Sequence, residues 1–294
     1  MQNDALYSLL YANFDWHPSR ISAFTDLVMG VIKAKTITIK ELAMNVGSKG
    51  DLHAQIIKTE RFLLKQKIDY VSLGKIIFNL IKKENKIMIA IDRTNWKFGK
   101  KDINFLVATL VLDGISIPIV WELLESQGNS NTAERQALIQ QVLQIIPKEN
   151  IECIVADREF IGEEWFKYLD ETQGLNFAIR VKKSEQIPHP NGGKVKLSHV
   201  FKDINETDIM THKTKIYKTP IQITALGLPQ EELLIVAIPI SNDFAEFASC
   251  LYKIFLRSNN SSIQFSCSSE EMNFFSMYEN TSSIPLFFSL KNLS

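Results

Sequence analysis

Lys86–Asn95, KIMIAIDRTN, is the stretch on which the fold turns. Its run of Ile, Met and Ala from Ile87 to Ile91 has the composition of a strand buried on both faces, and Asp92 stands where that strand is expected to run out into a loop. A carboxylate at the end of a buried strand carries a desolvation cost unless something offsets it. Two readings are open: Asp92 caps a following turn through its side chain, or it acts with a second acid. Ile151–Phe160, IECIVADREF, has the same build, an apolar run ending in Asp157, and both acids are followed at once by Arg. If the two strands are neighbours in one sheet, the carboxylates converge at its edge. Paired carboxylates suit a hard divalent cation such as Mg2+.

A chain of 294 residues can bury a substantial core in one or two domains, and 45% hydrophobic with 22% charged residues is ordinary for a globular protein. The net charge of zero hides an asymmetry, because residues 1–86 carry 13 Lys and Arg against 8 Asp and Glu. That excess fits contact with a polyanion and fits equally a solvated helical surface. Cys153, Cys250 and Cys267 have no metal-like spacing and suggest no disulfide framework, which points to a reducing cytoplasm. The opening MQNDALYSLL lacks the build of a signal peptide. Asn104–Leu124, the most apolar long stretch, is interrupted by Asp113-Gly114 and Pro118, and Asp-Gly between β-rich runs signals a hairpin rather than a membrane span.

Residues 1–84 read as helical. Ile21, Phe24, Leu27, Val28, Val31 and Ile32 recur at helical spacing and are expected on one buried face. Ile39–Met44 forms a short helix, Asn45-Val46-Gly47 a turn, and Asp51 an N-cap for a helix through Leu64. This is the outline of a helix-turn-helix, with Lys49, Lys58, Arg61, Lys65 and Lys67 placed for phosphate contact; a plain helical bundle reads the same way.

From Lys86 the period changes to strands. Ile87–Asp92, Asn104–Leu112 and Ile115–Trp121 form a meander, followed by helix Thr132–Ile146, strand Ile151–Ala156, helix Glu163–Glu171 and strand Asn176–Val181. The layout is mixed α/β (α+β), with helices packed on the sheet. Helix 132–146 is expected to bury Ala133, Ala137, Leu138, Gln141, Val142 and Ile145. Thr214–Tyr217, Ile221–Leu226 and Leu233–Ala237 are short β-rich runs in an insertion or continuation of the sheet, and His189, His199 and His212 are scattered there without metal spacing.

Three segments taken together, IDRTNWKFG at 91–99, PIVWELLESQGNSNTAER at 118–135 and VADREFIGEEWF at 155–166, resemble transposases of the insertion-sequence-4 family. The resemblance runs over residues 1–253. It implies a ribonuclease-H-like catalytic domain with a triad of two aspartates and a glutamate, Mg2+ or Mn2+ as cofactor, and double-stranded DNA (element ends and target) as partner; a homodimer is compatible with it. Asp92 and Asp157 match the two metal-binding, catalytic aspartates. Arg93 and Arg158 would orient the site or contact DNA phosphate, and Trp96, Phe160 and Trp165 would pack. The implied domains are a helical DNA-binding region at 1–84, the catalytic core at 85–182, a β-rich insertion at 183–240 and the start of the C-terminal catalytic helix at 241–253.

The family's last acid lies in a motif of Tyr, two residues, Arg, three residues, Glu, six residues, Lys. Tyr252 opens it, but Phe255, Asn259 and Ser266 occupy the Arg, Glu and Lys places. From Ile254 to Ser294, 11 of 41 residues are Ser and no helical or strand period persists. An out-of-frame reading of AT-rich DNA gives such a mixture, so a frameshift near codon 254 is one explanation and a genuine divergent, disordered tail the other. Glu270, Glu271 and Glu279 lie in this tail without the motif. The expected product is a catalytically defective transposase or, alternatively, a non-catalytic DNA-binding inhibitor of transposition. A phosphatase using Asp92 as nucleophile would need a second Asp where Thr94 stands.

Overall fold

The computed structural model describes residues 2–45, 51–81, 86–98, 101–112, 115–124, 128–205, 208–227 and 233–240. The chain divides into two compact units, the first spanning Met1–Ile76 and the second beginning at Ile77. Val46, Gly47 and Lys49, the Asp113-Gly114 turn, Tyr252 and the whole of 241–294, with Glu270, Glu271 and Glu279, lie outside the described residues.

The first unit is helical: α1 (Gln2–Asn13), α2 (Pro18–Ala34), α3 (Ile39–Asn45), α4 (Leu52–Lys65) and α5 (Tyr70–Leu80) as far as Ile76. Leu10, Phe14, Ile21, Phe24, Leu27, Leu42, Leu63 and Ile76 form its core, and Phe14 stacks on Trp16 with centroids 4.4 Å apart. Pro18 opens α2, where a missing N–H is harmless. The expected apolar stripe of α2 holds from Ile21 to Val31 but ends before Ile32, which is 60% exposed. Thr25 is buried instead, its hydroxyl donating to the Ile21 carbonyl, because its position one turn from Ile21 faces inward. Asp51 stands at the N-cap of α4, but its side chain makes no capping hydrogen bond.

The second unit is built on one eight-stranded sheet. Its strands are β1 (Ile87–Phe98), β2 (Lys101–Leu112), β3 (Ile115–Leu124), β4 (Ile151–Ala156), β5 (Phe177–Arg180), β8 (Ile209–Ile216), β9 (Thr219–Gly227) and β10 (Leu233–Pro239), while β6 (Gln186–Pro188) and β7 (Lys194–Lys196) pair separately. The order is β3-β2-β1-β4-β5-β10-β9-β8. β1, β2 and β3 are antiparallel, β4 runs parallel to β1 and β5 parallel to β4. This five-strand arrangement is ribonuclease-H-like, and β8–β10 extend the same sheet. Pro118, which has no N–H to donate, sits on edge strand β3 beside a register shift at Ala108/Thr109. The Asn104–Leu124 stretch is thus β2 and β3, and no described helix is long and apolar enough to cross a membrane.

Helices α6 (Thr132–Ile145), α7 (Glu163–Lys167, continued by a π-turn at Tyr168–Thr172) and the short α8 (Leu197–Val200) accompany the sheet. α6 buries Arg135, Leu138, Ile139, Val142 and Ile145. Ala133 and Ala137, expected on that face, are not buried. Alanine serves there for helix propensity, and the larger Ile139 takes the inner face. Tyr217, expected as the end of a strand, is instead a turn residue. It and Lys218 have φ of 48° and 69°, the left-handed pair that joins β8 to β9 across the Ile216–Thr219 pairing.

Candidate active site

The decisive geometry is a register. β1 and β4 pair Met88 with Cys153, Ala90 with Val155 and Ile91 with Ala156, and there the ladder ends. One residue beyond this last pair, on neighbouring strands that a sheet spaces about 4.8 Å apart, come Asp92 and Asp157. Asp92 is not at a strand end. β1 continues to Phe98 in pairing with β2, Asp92 facing Val107, so no turn follows for it to cap. The long hairpin with β2 carries β1 beyond the parallel core, and Asp92 sits where β1 parts from β4.

Alternation assigns the faces. Phe166 of α7 stacks on Phe177 at 5.1 Å, so Phe177 and Ile179, with their neighbours Ala156 and Ile91, look toward α7. The opposite face carries the cluster of Cys153, Val155, Ala178, Leu226, Leu234, Val236 and Ile238, with Met88 packed against it. Asp92 and Asp157 continue this second face. So does Arg180, since Val155 pairs with Ala178 on β5. Its Nη1 lies 3.8 Å from Oδ1 of Asp157. The result is a row Asp92, Asp157, Arg180 across three parallel strands, where β4 and β5 end and β1 runs on.

Oδ1 of Asp157 is buried and accepts no hydrogen bond, while its Oδ2 lies 4.0 Å from Nε of the exposed Arg158. Oδ1 of Asp92 accepts from the Arg93 backbone N–H at 2.8 Å. A buried acceptor with nothing donating to it is costly, and a cation is the partner that would remove the cost. Two acids make an incomplete cage: among the described residues, no group of three or more His, Cys, Asp or Glu could hold a metal ion.

Arg93 points to the other side, toward α7 and the loop entering α6. Its Nε donates to both carboxylate oxygens of Glu159 at 3.0 and 3.2 Å, and Nη2 donates to Oε2 at 3.0 Å. Nη1 reaches Oδ1 of the buried Asn104 at 3.3 Å. Glu159 lies in the turn that Phe160 N to Asp157 O closes at 3.0 Å. Its carbonyl accepts from Nη2 of Arg135 at 3.1 Å, and Arg135 also binds Ser130 and lies 4.9 Å over the Phe160 ring. Burial lowers the Arg135 pKa, opposed by the charges of Glu159 and Glu134.

The remaining residues expected at DNA fall as follows. Lys58, Arg61 and Lys65 share the exposed face of α4, opposite the buried Gln55, Thr59 and Leu63, and Lys58 lies 3.6 Å from Asp26. Lys49 lies outside the described residues. Phe160 and Trp165 are fully buried, in keeping with packing. Arg180 and Glu159 are site residues that the sequence does not single out. A signal for Arg180 is present all the same, because FAIR, Phe177–Arg180, is a third apolar run ending in a charge.

A family model for the transposase DDE domain matches residues 83–237, from just before β1 to β10. The chain belongs to this family. Asp92 and Asp157 both fall inside the span that matches the transposase DDE domain. A search of curated proteins finds no match. Among solved structures, a piggyBac transposase synaptic complex with hairpin DNA is similar at 12% identity and a TM-score of 0.42, over 82% of this chain and 59% of that one. Endonuclease V from Ciona intestinalis, in complex with inosine-containing DNA, is similar at 14% identity and a TM-score of 0.37, over 63% of this chain and 86% of that one. Endonuclease V from Bacillus subtilis follows at 9% identity and a TM-score of 0.29, over 67% and 96%. The transposase DDE chain thus spans less than two thirds of the piggyBac chain.

Proposed function

We propose that this chain is an insertion-sequence transposase by descent, of the insertion-sequence-4 type, in which Asp92 and Asp157 form two thirds of a divalent-metal site for cutting and joining DNA phosphodiesters. The observation that carries the site is the shared row of the two acids, with the buried Oδ1 of Asp157 accepting no hydrogen bond. Carboxylate oxygens suit Mg2+ or Mn2+. A bound ion would supply charge stabilisation to the phosphoryl oxygens. Arg180 and Arg158, cationic and at least 41% exposed beside Asp157, draw the phosphodiester toward the row. Lys58, Arg61 and Lys65 on α4, with Lys49, contact backbone phosphates without reading sequence. On this reading residues 1–84 bind element ends, 85–182 are the catalytic core and 183–240 the insertion.

The third acid is absent where the motif calls for it, Asn259 standing in the Glu place. Two acids of three leave weak metal binding and little or no strand transfer. The test is the purified chain with DNA carrying the element ends in Mg2+ or Mn2+. DNA retention without cutting or joining is expected, and turnover that Asp92→Ala abolishes would overturn the defect. Resequencing the locus and translating every frame beyond codon 254 is expected to recover the Tyr, Arg, Glu, Lys motif in a shifted frame. The exposed basic face of α4 favours a second reading, a non-catalytic DNA-binding inhibitor of transposition; it fails if no specific DNA is retained.

A further inference from the structure

We infer that Arg93 and Glu159 are positioning residues, an ion pair that sets the spacing between the Asp92 and Asp157 carboxylates; the inference rests on the metal site proposed above. The ladder between β1 and β4 stops at Ile91–Ala156, so no strand pairing between them holds the next residue on each chain. β2 holds Asp92 and the 157–160 turn holds Asp157, each on its own side, and the pair formed by their followers links the two sides. Arg93 is the residue after Asp92, and Glu159 belongs to the turn that begins at Asp157. The guanidinium engages both Glu159 oxygens through Nε and Nη2, and a planar fork met by a planar carboxylate fixes orientation as well as distance.

The pair is itself anchored from three sides. Asn104 of β2 accepts from Arg93 and donates to the Gly128 carbonyl at 3.1 Å, and Asn129 accepts from Nη2 of Arg93 at 3.5 Å. Arg135 ties the Glu159 carbonyl to Ser130. The side chains of Arg93 and Glu159 are only 11% and 22% exposed. Strand alternation turns Arg93 away from the face that carries the acids, so its charge meets Glu159 rather than a phosphate at the carboxylate row. A buried pair of this kind adds little net stability. Its effect is geometric, and outer-shell groups that orient metal ligands change affinity by about 10- to 100-fold.

The test is Mn2+ affinity of the full chain, read from the electron paramagnetic resonance signal of free Mn2+ well below the melting temperature. Wild type is compared with Arg93→Met, Arg93→Lys, Glu159→Gln, their double variant Arg93→Met/Glu159→Gln, and Asp92→Asn. Either single removal is expected to raise Kd about tenfold, and the double to be no weaker than the singles. Arg93→Lys, which keeps the charge and loses the fork, is expected to remain weak. Should Arg93→Met fail to fold, Arg93→Lys takes its place beside Glu159→Gln, which removes charge at constant volume. Unchanged Kd in Glu159→Gln and Arg93→Met while Asp92→Asn loses binding overturns the positioning role and leaves the metal site standing. Loss of binding in Glu159→Gln with Arg93→Met intact makes Glu159 a ligand and also overturns it. Weakened DNA retention in Arg93→Met at unchanged Mn2+ affinity makes Arg93 a DNA contact and likewise overturns the positioning role. Mn2+ binding that Asp92→Asn leaves untouched removes the metal site and this inference together.

Discussion

Nη1 of Arg180 stands 3.8 Å from Oδ1 of Asp157, close enough for attraction and too far for a hydrogen bond. The guanidinium balances the buried oxygen without capping it, which leaves the carboxylate open to a cation. Arg180→Ala is expected to tighten Mn2+ binding by removing a like charge, and to weaken DNA retention. A salt series of filter binding should show the slope falling by about one charge. An unchanged slope would place Arg180 off the DNA path.

Asn131 and Glu134 close a capping box at the start of α6, with Oδ1 of Asn131 accepting from Glu134 N at 2.9 Å and Oε2 of Glu134 from Asn131 N at 2.8 Å. Asn131→Ala is expected to cost about 1 kcal/mol in urea unfolding. Because the adjoining residues Asn129 and Ser130 support Arg93 and Arg135, Mn2+ affinity should drop as well.

Gly227 ends β9 against the turn before β8. A Cβ there would lie 1.9 Å from the Asn205 carbonyl oxygen and 2.7 Å from its carbon, and Gly227 N donates to Asp208 O at 3.1 Å. Both obstacles are backbone, so Gly227→Ala is expected to destabilise by about 1–3 kcal/mol, measured as a lower urea midpoint. Wild-type stability would mean that the loop gives way freely.

Much of the fold is legible in the sequence because it rests on local signals. Apolar runs ending in Asp92 and Asp157 mark two strands, and the change of period at Lys86 marks the change from helices to sheet. What escapes is long-range. The continuation of β1 past Asp92 depends on its pairing with β2, which Arg93, Thr94 and Asn95 do not announce by hydrophobicity. Arg93 reads in the sequence as orienting the site or contacting phosphate, and its partner Glu159, 66 positions away, is not visible there. The burial of Arg135 beside Phe160 hides in a helix whose alanines point to a different face.

Tyr217 and Lys218 occupy left-handed backbone, a conformation that costs non-glycine residues about 1–2 kcal/mol each. Replacing the pair with Asn-Gly, the residues such a two-residue turn favours, is expected to raise the melting midpoint by several degrees. A lower midpoint would show that the Tyr217 ring contributes more through contacts than the turn loses through strain.

The most direct measurement of the central claim is a Mn2+ titration of the wild-type chain beside Asp92→Asn and Asp157→Asn, with folding checked by circular dichroism. Weak binding by the wild type that disappears in each folded variant is the expected result. Equal binding by all three proteins would contradict a metal site formed by Asp92 and Asp157.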